Sequence, residues 1–184
     1  SNVRRLDAPS KVTGALRYAG DMVVPDMLHL QVFRSPVAHA RIKSLDVSVA
    51  EAMQGVEAVV TAGDIPGEDG FGVFVHDQPT LAADKVRYVG EAIVAIAAET
   101  EQIAREAVKT IKIEFEDLPP VFDVETAMAD GAPVVHDYAK DNITYHVPIR
   151  KGDVEKGFAD ADLIVEQTYE TQPIEHAYLE PEAG

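Results

Sequence analysis

The sequence predicts an α+β fold, on the strength of three neighbouring segments. Glu91–Glu99 encloses Ala92, Ile93, Val94, Ala95, Ile96, Ala97 and Ala98, a run apolar on both faces, as a strand buried on both sides must be. The next stretch places Ile103, Ala104, Ala107, Val108 and Ile111 on one helical face. Ile111, Ile113 and Phe115 then alternate with Lys112, Glu114 and Glu116, the pattern of a half-buried strand. A β–α–β unit with a buried central strand is therefore the core of the expected fold.

The first 26 residues contain Pro9, Gly14, Gly20 and Pro25, too closely spaced for a long helix. Leu28, Leu30 and Val32 alternate with His29, Gln31 and Phe33, which predicts a strand with one apolar face. A second strand follows near Arg41–Val47. Its alternation slips, with Ala40 and Ile42 on one face and Leu45 and Val47 on the other, as at a β-bulge or sheet corner. Ser48 and Glu51 have capping-box spacing, and Gly55 supplies a C-terminal stop for a short helix. Val56, Val59 and Val60 form the next strand. Residues 67–80 read as a flexible loop, with Gly67, Gly70, Gly72 and Pro79 around Phe71, Val73, Phe74 and Val75. Thr100 caps the long helix, Glu101 pairs with Arg105, and Lys109 sits in the last turn where the dipole favours a cation. Leu118-Pro119-Pro120 ends the unit, and a short helix is expected around Val124–Ala129. The pattern fades from Asp130 to about Gly152, then returns as a short helix near Asp153–Ala159 and a strand from Leu163 to about Thr171.

Composition narrows the function classes. The chain has 184 residues, of which 46% are apolar and 26% charged, a globular balance. Its 16 Lys and Arg face 32 Asp and Glu, for a net charge of −16, so nucleic acid is not expected as a partner. The charge is uneven: residues 1–50 carry 7 basic and 4 acidic side chains, which suggests docking of that stretch on something acidic, although the simpler reading of the asymmetry is a solvated acidic surface that aids solubility. There is no cysteine, which excludes a disulfide framework, thiolate metal ligation and a cysteine nucleophile within this chain. No apolar run approaches the ~20 residues of a membrane span, and no signal-peptide core opens the chain, so no membrane partner and a cytoplasmic location are expected. Ser1-Asn2 looks like a tag scar, and the chain stops directly after a strand-like segment. A fragment of a longer polypeptide is expected.

Candidates for chemistry are weak when taken singly. None of the six histidines, at 29, 39, 76, 136, 146 and 176, sits four residues from another, and no His-Glu-x-x-His occurs. Glu175, His176 and Glu180 bring three ligand-type side chains together, but a role at a domain interface accounts for them better than a metal. Gly70-Phe71-Gly72 lacks the spacing of a phosphate cradle and lies among Glu68, Asp69 and Asp77, which repel anions. No serine lies in a Gly-x-Ser-x-Gly elbow. Asp84-Lys85-Val86 is similar to the modified-lysine hairpin of lipoyl and biotinyl carriers, though those domains are far shorter and lack a long amphipathic helix.

The segments taken together are more specific. Arg5-Leu6-Asp7-Ala8-Pro9-Ser10-Lys11-Val12-Thr13-Gly14 runs on through Tyr18 and Asp21 to Pro25-Asp26-Met27-Leu28-His29. Ser35-Pro36-Val37-Ala38-His39-Ala40-Arg41-Ile42, Asp64-Ile65-Pro66-Gly67, Val86-Arg87-Tyr88-Val89-Gly90-Glu91 and Glu114-Phe115-Glu116-Asp117-Leu118-Pro119 follow in order. These resemble the α/β-hammerhead domain of the molybdenum hydroxylases, the family of xanthine dehydrogenase, aldehyde oxidase and carbon monoxide dehydrogenase large subunits. Gly152-Asp153-Val154-Glu155-Lys156-Gly157-Phe158 and Glu175-His176-Ala177-Tyr178-Leu179-Glu180-Pro181-Glu182 resemble the opening of that family's molybdopterin-binding domain.

The resemblance implies a hammerhead over residues 1–125, a linker over 126–152 and the truncated start of the molybdopterin-binding domain over 153–184. It implies an oxidoreductase that hydroxylates a C–H bond of an aldehyde or N-heterocycle with oxygen from water. Electrons then pass from molybdenum through iron–sulfur clusters to a flavin or other acceptor on partner domains or subunits. The family's catalytic glutamine and glutamate and its Gly-Gly-Phe-Gly-Gly loop lie beyond Gly184 in that pattern. This chain is therefore expected to hold no catalytic, cofactor or metal residue and to be inactive alone, its partners being the rest of its own chain and a small-molecule substrate. Phe74 and Val75 align with the apolar pair that lines the family's substrate funnel, which makes them the substrate-binding candidates; the other reading is that Phe74 packs on its own loop. A non-catalytic interaction module is the alternative function, with a carrier domain behind it.

Overall fold

The computed structural model describes residues 5–67 and 70–178. It divides into two compact units, one spanning Asp26–Val147 and the other joining the segment before Asp26 to the segment from Pro148 onward.

In the first unit, β1 (His29–Arg34), β3 (Val56–Val60) and β5 (Ala92–Ala98) form one antiparallel sheet in the order β1-β5-β3. A second sheet has the order β4-β2-β6, from Lys85–Val86, Ala40–Asp46 and Lys112–Asp117. The strand that reads as buried on both sides is the central one: Ile93, Val94, Ile96 and Ala98 are fully buried in β5. Helix α3 (Glu101–Thr110) packs on β1 and β5 through Ala104 and Ala107, and Thr100 Oγ1 caps it by accepting the Ile103 N–H at 3.2 Å. The i,i+4 pair of Glu101 and Arg105 forms as expected.

Several expectations need correction. The two strands flanking α3 do not join one sheet: β5 lies in the first and β6 in the second. The helix therefore connects the two sheets along the chain while packing on the first. The apolar face expected of β1 is also reversed. Gln31 and Phe33 lie opposite Ile96 and Val94 and share their face, because directly paired residues of neighbouring strands point the same way. Leu30 pairs with Ala97 on the other face and is 62% exposed, so burial here follows the position of α3 and not the strand's own alternation.

The slip in β2 is a bulge, with the register against β6 shifting between Ile42 and Ser44. The capping box at Ser48 does not form. Its N–H and hydroxyl both donate to Asp46 Oδ1, at 3.0 and 2.6 Å, so α2 (Ser48–Glu51) starts from an Asp side chain upstream. Those two donors hold the Asp46 carboxyl below its ordinary range. Gly55 adopts φ +84°, which closes the turn into β3.

The second unit contains α1 (Ala8–Val12) and α5 (Val154–Ala159), the latter capped by Asp153, whose carboxylate accepts the Lys156 N–H. The strand expected over 163–171 is absent, and those residues are exposed without regular structure. A lone strand has no ladder partner for its backbone groups, and none is supplied here.

Candidate functional site

The expected substrate residues lie on the loop between β3 and β4. This loop is a small hairpin and not a flexible tether: Phe71 N–H donates to the Gln78 carbonyl at 2.8 Å, and Gln78 N–H donates back at 3.2 Å. The glycines are required by close approach. A Cβ on Gly72 would stand 1.9 Å from the Val75 carbonyl oxygen, and one on Gly70 would stand 2.7 Å from that of His76. Because Phe71 N–H is spent inside the hairpin, Gly70-Phe71-Gly72 offers no ring of free amides to an anion. Val75 is half-buried, whereas Phe74 is 69% exposed at the tip.

Phe74 does not pack on its own loop alone. Its ring stacks on Tyr145, with centroids 4.6 Å apart and planes within 3°. Tyr145 arrives there because the chain after α4 (Val124–Ala127) folds back toward the hairpin within the first unit. Asn142, at φ +57°, donates its amide to the Ala127 and Pro133 carbonyls, each at 2.9 Å, and accepts the Val135 N–H at 3.0 Å. That one amide ties the irregular segment together.

The same segment grips the base of the hairpin. The Tyr138 hydroxyl donates to Asp77 Oδ2 at 2.5 Å, and His136 Nδ1 lies 3.7 Å from that oxygen. Accepting this bond lets the Asp77 carboxylate hold the phenol's proton, which pushes the Tyr138 hydroxyl above its usual range. Lys85 Nζ reaches Asp137 Oδ1 at 3.3 Å, with the lysine side chain only 4% exposed. Burial removes Lys85 from consideration as a carrier lysine, which must project into solvent to be modified.

Behind the hairpin is a cavity of about 220 Å³, lined by Asp77, Gln78, Pro79, Arg87, Tyr88, Glu91 and His136. The Glu91 carboxylate accepts the Arg87 backbone N–H and lies 3.8 Å from its guanidinium. Burial pushes the Glu91 carboxyl above its ordinary range despite these contacts. Burial, aided by the Arg87 charge, pushes the His136 imidazole down, so it is uncharged at neutral pH. No nucleophile stands beside a base in this cavity. It is a compensated charge cluster, and the stacked aromatic pair lies outside it.

Among the described residues no three His, Cys, Asp or Glu side chains come together as a metal site. His39 Nδ1 is engaged by the Pro119 carbonyl at 2.8 Å, and His176 stacks on Tyr178. Glu180, the third member of the sequence cluster, lies outside the described residues. The part of the chain that resembles the molybdopterin-binding domain is exposed over residues 151–178, with no cradle of buried donors for a pterin or its phosphate. These residues do not fit that group on their own. No helix among the described residues is long and apolar enough to cross a membrane.

Sequence reasoning singled out Phe74 and Val75 but did not anticipate the contacts that Tyr145, Tyr138 and His136 make with this loop through Phe74 and Asp77. No local signal marks them, because Tyr138 and Asp77 stand 61 residues apart in the chain.

Comparison with known proteins agrees with this architecture. Residues 13–119 match the family described as the aldehyde oxidase and xanthine dehydrogenase a/b hammerhead domain, and residues 135–184 match the molybdopterin cofactor-binding domain. The chain is 43% identical over 183 residues to the nicotinate dehydrogenase large molybdopterin subunit of Eubacterium barkeri, covering 100% of this chain and 43% of that one. It is 33% identical over 181 residues to the xanthine dehydrogenase of Dictyostelium discoideum, covering 97% of this chain and 12% of that one. The chain thus spans less than half the length of these relatives. The aldehyde oxidoreductase of Desulfovibrio gigas superposes with a TM-score of 0.73 at 32% identity, over 86% of this chain and 19% of that chain. With a mixed α+β architecture, a buried central strand and these matches, the chain belongs to the aldehyde oxidase and xanthine dehydrogenase family and carries its hammerhead domain followed by the opening of its molybdopterin cofactor-binding domain.

Proposed function

We propose that this chain is the scaffold and one substrate wall of a molybdenum-dependent hydroxylase, and is inactive by itself. In the proposed arrangement residues 1–125 are the hammerhead, 126–152 the connector and 153–184 the start of the cofactor domain. Molybdopterin, held by the remainder of the protein, supplies the hydroxylating centre that inserts water-derived oxygen into a C–H bond of an aldehyde or N-heterocycle. Iron–sulfur and flavin domains or subunits take the electrons, in the cytoplasm.

One observation carries the part assigned to this chain. Phe74 stands 69% exposed on a hairpin closed by two backbone hydrogen bonds between Phe71 and Gln78, so the fold presents an apolar ring instead of burying it. An apolar wall with few polar anchors is what a planar heterocycle or aldehyde needs around it.

The test is Phe74→Ala in the full-length enzyme. KM and the preference among substrates shift several-fold, while stability falls by no more than about 1.5 kcal/mol, the worth of the stack on Tyr145. An unchanged substrate profile together with a large loss of stability refutes the reading. It would leave Phe74 as a packing residue and favour a purely structural module.

A further inference from the structure

We propose that Tyr145, on the connector, is the positioning residue that sets where Phe74 stands, with Asp77 and Tyr138 as the second point of a two-point clamp. This inference rests on the reading of Phe74 as a substrate wall and extends it to residues of the following segment.

The argument starts from the hairpin. Two backbone hydrogen bonds close it, between Phe71 and Gln78, and its apolar tip residues Val73 and Phe74 are exposed. Nothing within the hairpin fixes the direction of its tip. Two contacts from one distant segment do. At the tip, the Tyr145 ring lies parallel to Phe74 at 4.6 Å. At the base, the Tyr138 hydroxyl holds Asp77 Oδ2. A hairpin gripped at tip and base by the same strap has lost its hinge freedom, whereas either contact alone leaves one rotation open.

The strap is itself anchored, because Lys85 pairs with Asp137 at 3.3 Å and Asn142 closes three backbone groups. The strap residues Asp137, Tyr138, Asn142 and Tyr145 themselves fall within the stretch that matches the cofactor-binding domain, residues 135–184. The clamp therefore couples the wall of the funnel to the part of the chain that leads into the cofactor domain.

The experiment uses the full-length enzyme with Tyr145→Ala, Tyr145→Phe, Tyr138→Phe and Phe74→Ala. Hydrogen exchange is read at the Phe71 and Gln78 amides, and kcat and KM are read for one planar N-heterocycle and one small aliphatic aldehyde. Loss of an aromatic pair raises exchange at those amides by about 2- to 12-fold in Tyr145→Ala. It also shifts the heterocycle-to-aldehyde ratio of kcat/KM through KM, by a similar factor. Tyr145→Phe keeps the stack and restores both, while Tyr138→Phe raises exchange with a smaller change in ratio. Unchanged exchange in Tyr145→Ala overturns the clamp. Faster exchange with an unchanged ratio, where Phe74→Ala does shift the ratio, overturns the positioning role and leaves the wall standing. No shift in ratio from either variant overturns the wall reading and this inference with it.

Discussion

Glu91 gives the sharpest test of the charge cluster behind the hairpin. Its backbone is pinned at the start of β5: the Glu91 carbonyl accepts the Ser35 N–H, and the preceding Gly90 N–H donates to the Ser35 carbonyl, both at 2.8 Å. The side chain turns inward, with 4% of its surface exposed, and faces an Arg87 guanidinium that is 17% exposed. Arg87 Nε is buried without a hydrogen-bond partner and Nη1 donates to the Lys85 carbonyl at 3.0 Å, so Glu91 supplies the carboxylate that faces this cation. Glu91→Ala removes the acceptor of the Arg87 N–H and the only carboxylate within 4 Å of the guanidinium among the described ion pairs. Leaving one member of a buried pair alone costs about 3–5 kcal/mol. The 3.8 Å separation and the residual exposure of Arg87 place the expected loss at the low end, about 3 kcal/mol, or a fall in Tm of roughly 6–12 °C for a chain of this size. Glu91→Gln keeps an acceptor for the Arg87 N–H and gives up a carboxylate charge that burial already disfavours, so it costs about 1 kcal/mol or less at neutral pH.

The pH dependence has a definite sign. Burial raises the Glu91 carboxyl above 4.5, so the folded state holds that proton more tightly than the unfolded chain. The stability from protonated Glu91 is fully present below 4.5 and is lost as pH rises through the folded value. Glu91→Gln has no such loss, so the parent chain's advantage over it shrinks between about pH 5 and about pH 8. Urea unfolding of the 184-residue chain and both variants at the two pH values measures all of this. A Gln variant as damaged as the Ala variant at neutral pH refutes the argument, as does an advantage that grows with pH.

Two further outcomes follow from the core. Ile96→Ala, at a fully buried position of the central strand, lowers stability by about 2–5 kcal/mol, whereas Leu30→Ala in the neighbouring strand costs well under half of that; equal losses in denaturant titrations would mean that α3 covers the other face. Gly55→Ala combines φ +84° with a Cβ 2.7 Å from Ile103 Cδ1, and the left-handed strain alone costs about 1–2 kcal/mol; a neutral result in a thermal melt would show that the turn into β3 tolerates a side chain.

The sequence by itself determined the elements whose physics is local. The apolar run of β5 requires burial on both sides wherever it lies, and Thr100 caps α3 because its hydroxyl is within one turn of the amide it accepts. The bulge in β2 was legible for the same reason, since a broken alternation must be absorbed inside the strand that carries it. Phe74 was legible as an apolar residue among turn formers. Only the tertiary structure decided what depends on distant neighbours. Ser48 had the spacing of a cap, but Asp46 competed for its donors. Leu30 had the pattern of a core residue, but α3 settled on the face of Gln31 and Phe33. The 163–171 segment, opening on Leu163, Ile164 and Val165, read as a strand, yet strand-forming residues supply no hydrogen-bonding partner. The ring that meets Phe74 comes from a segment with no periodicity at all, placed there by the side-chain amide of Asn142. Local spacing sets backbone geometry and which side chains alternate, while long-range contacts choose which of those faces is covered and by what.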